Sequence, residues 1–178
     1  MTTVPLRARL AALRERRLVR WAMDGALLAI VLVAVSAWQT RNHLRGLAPD
    51  FSLPTLAGGE VTRASLAGKP ALLVFWAPWC GVCRANEGAV ATLEGWVGER
   101  AHVVSVASDY QDVEEIRQYV QRHDVAGTVL LGGTATARSF EVRAFPTFYF
   151  LDEAGRIQGS AMGYTTAAGL WARLSPLP

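Results

Sequence analysis

Apolar positions divide the chain into two unlike parts. Residues 25–40 carry no charge and are dense in Ala, Leu, Ile and Val, and across 21–40 Asp24 alone is charged. Twenty helical residues at a rise of about 1.5 Å span about 30 Å, the thickness of a hydrocarbon core. Beyond residue 40 the apolar runs shorten and turn residues separate them. Ala71–Trp76 is a continuous apolar run, as expected of a strand buried on both faces. Val103–Ala107, Thr128–Leu131 and Thr147–Leu151 read as further strands, and Arg156–Met162 returns after a turn at Asp152–Gly155. Phe51–Leu56 and the region near Val61 flank Ala57-Gly58-Gly59-Glu60, a hairpin signal.

Helical spacing alternates with these strands. Gly81–Val97 places Val82, Ala85, Ala89, Val90, Leu93, Trp96 and Val97 toward one side. Gln111–His123 carries the stripe Val113, Ile116, Tyr119 and Val120. Thr134–Phe140 reads as a short helix or turn, and Thr165–Leu174 as a last helix with Thr165 as N-cap. The order predicts an α/β fold, a central mixed sheet with helices on both faces. The predicted organisation is a basic tail over 1–20, a transmembrane anchor over 21–40, a linker over 41–48 and a globular domain over 49–178.

Charge separates the same two parts. Residues 1–45 hold eight arginines against Glu15 and Asp24, a net +6. Residues 46–178 hold ten Lys/Arg against thirteen Asp/Glu, a net −3. The overall +3 therefore belongs to the tail, and a mildly acidic domain argues against a nucleic-acid partner. Six arginines precede the apolar segment and only Arg41 and Arg45 closely follow it. The positive-inside rule then leaves the N-terminus in the cytoplasm and the globular domain outside it. A cleaved export signal is the alternative, with Val35-Ser36-Ala37 as small residues near a cleavage point. Both readings export the domain.

The chemistry lies in Phe75-Trp76-Ala77-Pro78-Trp79-Cys80-Gly81-Val82-Cys83-Arg84, where a strand ends and a helix begins. Cysteines at i and i+3 of a helix start are within reach of a disulfide. The helix N-terminus stabilises a thiolate at Cys80, making it the attacking sulfur. Cys83, a turn deeper, can resolve a mixed disulfide. Two thiolates alone make a poor zinc or copper site, and His43, His102 and His123 are scattered, so no metal site is expected. A c-type haem attachment needs His after the second cysteine, where Arg84 stands. Nor is there a nucleotide or flavin signature. No cofactor is expected beyond the Cys80–Cys83 pair, and reducing equivalents must come from another protein.

This segment, with Pro146-Thr147 before a late strand, resembles the thioredoxin superfamily. Ala48-Pro49-Asp50-Phe51-Ser52-Leu53-Pro54 and Gly68-Lys69-Pro70 are similar to its exported, membrane-tethered branch, which includes the cytochrome c maturation reductases. Val103–Ser108 and Gly163-Tyr164-Thr165 resemble the suppressor-of-copper-sensitivity D-like group within that branch. The resemblance covers about residues 48–175. It implies a thioredoxin-like fold, with Cys80 attacking and Cys83 resolving. Pro146 would be a cis-proline facing the disulfide. Phe145 would offer backbone groups to a substrate chain, and Trp79 would form part of the apolar rim.

Two departures concern proton handling. Thioredoxins place a buried acid where Val74 stands, and many tethered reductases place Glu where Asn86 stands. Glu87, at i+4 from Cys83, is either a proton acceptor for that thiol or an ordinary solvated helix residue. A peroxiredoxin would need Thr or Ser three residues before its reactive cysteine, where Ala77 stands before Cys80. By family analogy the expected activity is net reduction of disulfides in exported proteins, with electrons from a membrane thiol–disulfide protein. The expected location is the inner membrane, single-pass, with the domain in the periplasm. The alternatives are a disulfide oxidase or isomerase using the same residues, and a copper-binding or copper-protective thiol protein.

Overall fold

A computed structural model describes residues 44–123 and 125–174, together with 21, 23–27, 30 and 31. The last group is helical and exposed. Most of the anchor expected over 21–40 lies outside the described residues. No helix among the described residues is long and apolar enough to cross a membrane.

The order is β1 (Gly46–Leu47), β2 (Ser52–Pro54), β3 (Glu60–Thr62), β4 (Ala71–Trp76), α1 (Gly81–Val97), β5 (His102–Ala107) and α2 (Val113–His123). Then follow β6 (Thr128–Leu131), α3 (Gly133–Ser139), β7 (Thr147–Leu151), β8 (Arg156–Met162) and α4 (Ala167–Leu174). Six strands form one mixed sheet in the order β1-β8-β7-β4-β5-β6, and β2 pairs with β3 as a separate hairpin. β4, β5 and β6 run parallel, while β7 lies antiparallel to β4. Each parallel connection needs a crossover, which α1 and α2 supply. Gly46–Leu47, within the stretch read as linker, pairs with Ile157 and Arg156 at the sheet edge.

Alternation along β4 sends side chains to opposite faces. Leu72 and Val74 pack with Val90 and Leu93 of α1 and with Leu170 and Leu174 of α4. Trp76 joins Ile116 and Tyr119 of α2 on the same side. Leu73 and Phe75 pack on the other side with Ala137, Phe140, Tyr149 and Leu53. The mixed sheet with helices on both faces thus stands as expected.

Some local details differ from the periodicity. The buried stripe of α1 is Cys83, Asn86, Val90, Leu93 and Val97, whereas Val82 and Trp96 are exposed. α2 begins at Val113, because Asp112 Oδ1 accepts the Glu115 N–H and the Glu115 carboxylate accepts the Gln111 N–H, a reciprocal cap. α4 begins at Ala167, and Thr166, not Thr165, caps it by accepting the Gly169 N–H at 3.1 Å.

Candidate active site

β4 is buried throughout and delivers the chain to the helix start with little freedom. Ala77 O accepts the Cys80 N–H at 3.0 Å, closing the turn between strand and helix. Cys80 is the N-cap of α1, and its Sγ accepts the Cys83 N–H at 3.1 Å. Cys80 and Cys83 form a disulfide with Cα atoms 5.2 Å apart. Both cysteines are buried. The sulfur of the N-cap therefore occupies the position where a helix start offers unpaired N–H groups and positive potential.

The expected rim residues gather here. The Phe145–Pro146 peptide bond is cis, and Pro146 lines the same small cavity as Cys83. Thr147 Oγ1 donates to Ala144 O at 2.7 Å and Gly163 N–H to Pro146 O at 2.9 Å, tying this loop to β7 and β8. The Trp79 ring is 64% exposed and meets Phe145 edge-on, with centroids 5.8 Å apart. Its Nε1 donates to Asp109 Oδ2 at 3.1 Å, so an exposed aromatic is held by a carboxylate from the loop after β5. Asp109 carries no signal of this role in the sequence, thirty residues away.

Behind the disulfide lies a cavity of about 20 Å³, room for one water-sized occupant. Cys83, Asn86, Glu87 and Val90 line it from α1, and Val74, Trp76 and Phe148 from the strands. Glu87 is half-buried and accepts the Tyr119 O–H from α2. Tyr119 itself is buried against Trp76, with rings stacked 4.8 Å apart. Burial, and then the Glu87 hydrogen bond, raise the ionisation of its hydroxyl well above the ordinary phenol range. Asn86 Oδ1 accepts the Thr165 N–H at 2.8 Å, which docks the start of α4 onto α1. Asn86 Nδ2 and Trp76 Nε1 are buried N–H groups without an acceptor.

All five named positions other than Glu87 thus sit within or around the disulfide, and Glu87 shares the cavity with Cys83. Sequence reasoning placed Tyr119 in an apolar stripe and missed its hydroxyl, because the partner is on another helix.

A buried disulfide at a strand-to-helix junction, with a cis-proline lining the same cavity as Cys83, defines a dithiol–disulfide redox protein of thioredoxin-like fold. Comparison with known proteins agrees. The AhpC/TSA family model matches residues 45–160. Thioredoxin-like protein YneN of Bacillus subtilis is 32% identical over 153 residues, covering 80% of this chain and 90% of that protein. The structure of MTB dsbF, solved in mixed oxidized and reduced forms, superposes with a TM-score of 0.66 at 29% identity, covering 74% of this chain and 99% of that one. A secreted Mycobacterium tuberculosis disulfide oxidoreductase homologous to E. coli DsbE gives 0.63 at 26% identity, over 71% of this chain and 96% of that one. The chain belongs to the AhpC/TSA family. It is a thioredoxin-like thiol–disulfide oxidoreductase with the Cys80–Cys83 pair as its redox centre.

Proposed function

We propose that this protein is a membrane-tethered reductase of disulfides in exported proteins. The observation that carries the redox chemistry is the Cys83 N–H donated to Cys80 Sγ at the start of α1. In the reduced state the same donor and the helix dipole favour the Cys80 thiolate, which attacks one sulfur of a substrate disulfide. That S–S bond breaks, one substrate sulfur leaves and takes up a proton, and Cys80 is joined to the other. Cys83 then gives its proton to Glu87 and attacks Cys80 Sγ. The second substrate sulfur leaves as a thiolate and takes up a proton, and the Cys80–Cys83 disulfide closes. Two electrons have passed from the dithiol to the substrate.

Trp79 and Val82 present exposed apolar surface beside the sulfurs, suited to an unfolded or extended segment. The backbone of Phe145 and Pro146 would pair with that segment as an added strand. The support for Glu87 as acceptor is its place in the cavity that Cys83 lines.

The charge asymmetry and the apolar stretch over 21–40 support a single-pass anchor with a cytoplasmic N-terminus and a periplasmic domain. The secreted character of one relative agrees with an exported domain. A tether keeps a reductant beside a membrane thiol–disulfide donor, which restores the dithiol. No further cofactor takes part.

The test is the reduction potential of the Cys80–Cys83 pair in the full chain, equilibrated in detergent against glutathione buffers. A value near or below about −220 mV supports a reductase. A value near about −120 mV marks a strong oxidant and reverses the proposed direction.

A further inference from the structure

The geometry points to Tyr119 as the residue that positions the Glu87 carboxylate for proton transfer from Cys83. Through it, α2 sets the pH at which the mixed disulfide is resolved. This rests on the reading of Glu87 as the proton acceptor.

Glu87 stands on the solvent-facing edge of the α1 stripe, where a glutamate has several rotamers to choose from. The Tyr119 O–H, donated to Oε1 from 32 residues along the chain, selects one of them. That hydroxyl is itself fixed. Its ring is stacked on Trp76 and packed against His123, with centroids 4.8 and 4.6 Å away. A carboxylate lining a largely apolar cavity tends to hold its proton, and so ceases to be an acceptor. A hydrogen bond donated to it favours the charged form. Tyr119 thus keeps Glu87 available as a base without exchanging protons, since burial and the carboxylate hold its own hydroxyl protonated.

From the strands, Val74, Trp76 and Phe148 bring no ionisable group to the cavity, and Ser105 brings a hydroxyl already donated to Ala126 O. On α1 the charged neighbour is Arg84, which is exposed and whose charge acts on the Tyr119 hydroxyl against burial and Glu87. On α2, His123 faces the Tyr119 ring.

The test follows the intramolecular step alone. The reduced full chain is mixed rapidly with excess glutathione disulfide, so that closure of the Cys80–Cys83 bond limits. Tryptophan fluorescence is recorded from about pH 5 to 9, spanning carboxylate and thiol titrations. Wild type is expected to show an acid limb below which closure slows. E87Q is expected to lose that limb and close more slowly at neutral pH. Y119F retains the ring and removes only the hydroxyl. Its acid limb is expected to move to higher pH, with closure slowed about tenfold on the limb, as for loss of one charged hydrogen bond. E87Q/Y119F is expected to match E87Q.

The outcomes separate the two readings. If E87Q keeps the wild-type profile, Glu87 is not the acceptor and both readings fall. If E87Q loses the limb while Y119F keeps the wild-type profile, Glu87 stands and the role of Tyr119 falls. A Y119F effect of equal size in the E87Q background also overturns the proposal, because Tyr119 would then act on its own.

Discussion

Each face of the central sheet buries one tyrosine, and the two hydroxyls have different acceptors. Tyr149 is fully buried, ringed by Phe75 and Phe140 at 5.9 and 5.6 Å, and donates to the Phe140 carbonyl. Tyr119 is equally enclosed by Trp76 and His123 but donates to the Glu87 carboxylate. A peptide carbonyl does not titrate over the ordinary pH range, so the first bond only seals a core. A carboxylate does titrate, so the second is tied to proton movement. The disulfide face also holds two buried N–H groups, on Trp76 and Asn86, without acceptors. Each such group costs about 1–3 kcal/mol relative to a paired one. Two such groups lie around the reacting sulfurs, while a third, Arg63 Nε just after β3, is offset by an ion pair with Asp50 at 3.4 Å.

The sharpest way to break this division is Phe75→Ala. Phe75 is fully buried on the sealed face, next to Phe140 and Tyr149. Denaturant unfolding should show a loss of about 3–5 kcal/mol. Disulfide exchange per folded molecule should stay at the wild-type rate. A fall in exchange to match the loss of stability would show that the two faces are not separable.

Tyr149→Phe tests the sealing hydroxyl directly. It leaves the Phe140 carbonyl without its partner, at a cost of about 1–3 kcal/mol. Burial first, with Glu141 adding and Arg143 opposing, pushes Tyr149 up to about 12. The folded state therefore favours the neutral phenol. The stability this contributes is whole below the ordinary value of 10.0 and is lost as pH rises toward 12. Y149F should show a flatter melting temperature through that alkaline window. Its exchange rate should follow the wild-type pH profile, in contrast to Y119F.

The smallest effect is expected at Asp152, in the turn between β7 and β8. Burial alone would raise its carboxyl. The Arg156 N–H, the Gln158 side chain and the Ala154 N–H outweigh that and hold it below its ordinary 3.8. A depressed carboxylate stabilises the fold above that ordinary value and ceases to do so as pH falls through the folded value. Asp152→Asn should lower the melting temperature at neutral pH by about 1–3 °C, allowing for solvent screening. The gap from wild type should close in acid. A gap that persists there would mean that the turn geometry, not the charge, carries the effect.

Much of this architecture is legible along the chain because its strands are short apolar runs with turn residues on both sides. β4, β6, β7 and β8 fall on the residues that patterning selects. The disulfide is legible because both cysteines belong to one helix start. The cis bond before Pro146 follows from the family resemblance, since local sequence alone favours trans. Contacts between distant segments are not legible. Tyr119 has the spacing of an ordinary core residue, and its hydroxyl finds Glu87 only after α1 and α2 share a face. The partnerships of Trp79 with Asp109 and of Asn86 with Thr165 depend on loops of no distinctive sequence. β1 is two residues long, too short for alternation to reveal, and exists because β8 offers it an edge.

The sheet register also puts the cysteines and the entry of the chain into the sheet at opposite ends of β4. Thr147 lies beside Phe75, near the cysteines, and Leu151 beside Ala71, at the other end of β4. Gly46 and Leu47 join the sheet at Ile157 and Arg156, close to the Leu151 end. The chain thus enters about 20 Å of strand away from the sulfurs, for six residues at about 3.3 Å each. A domain fixed to a solid support through its N-terminal side would still present Cys80 to the solution. Leu174 of α4 packs beside Leu72 and Val74 on the face that carries α1.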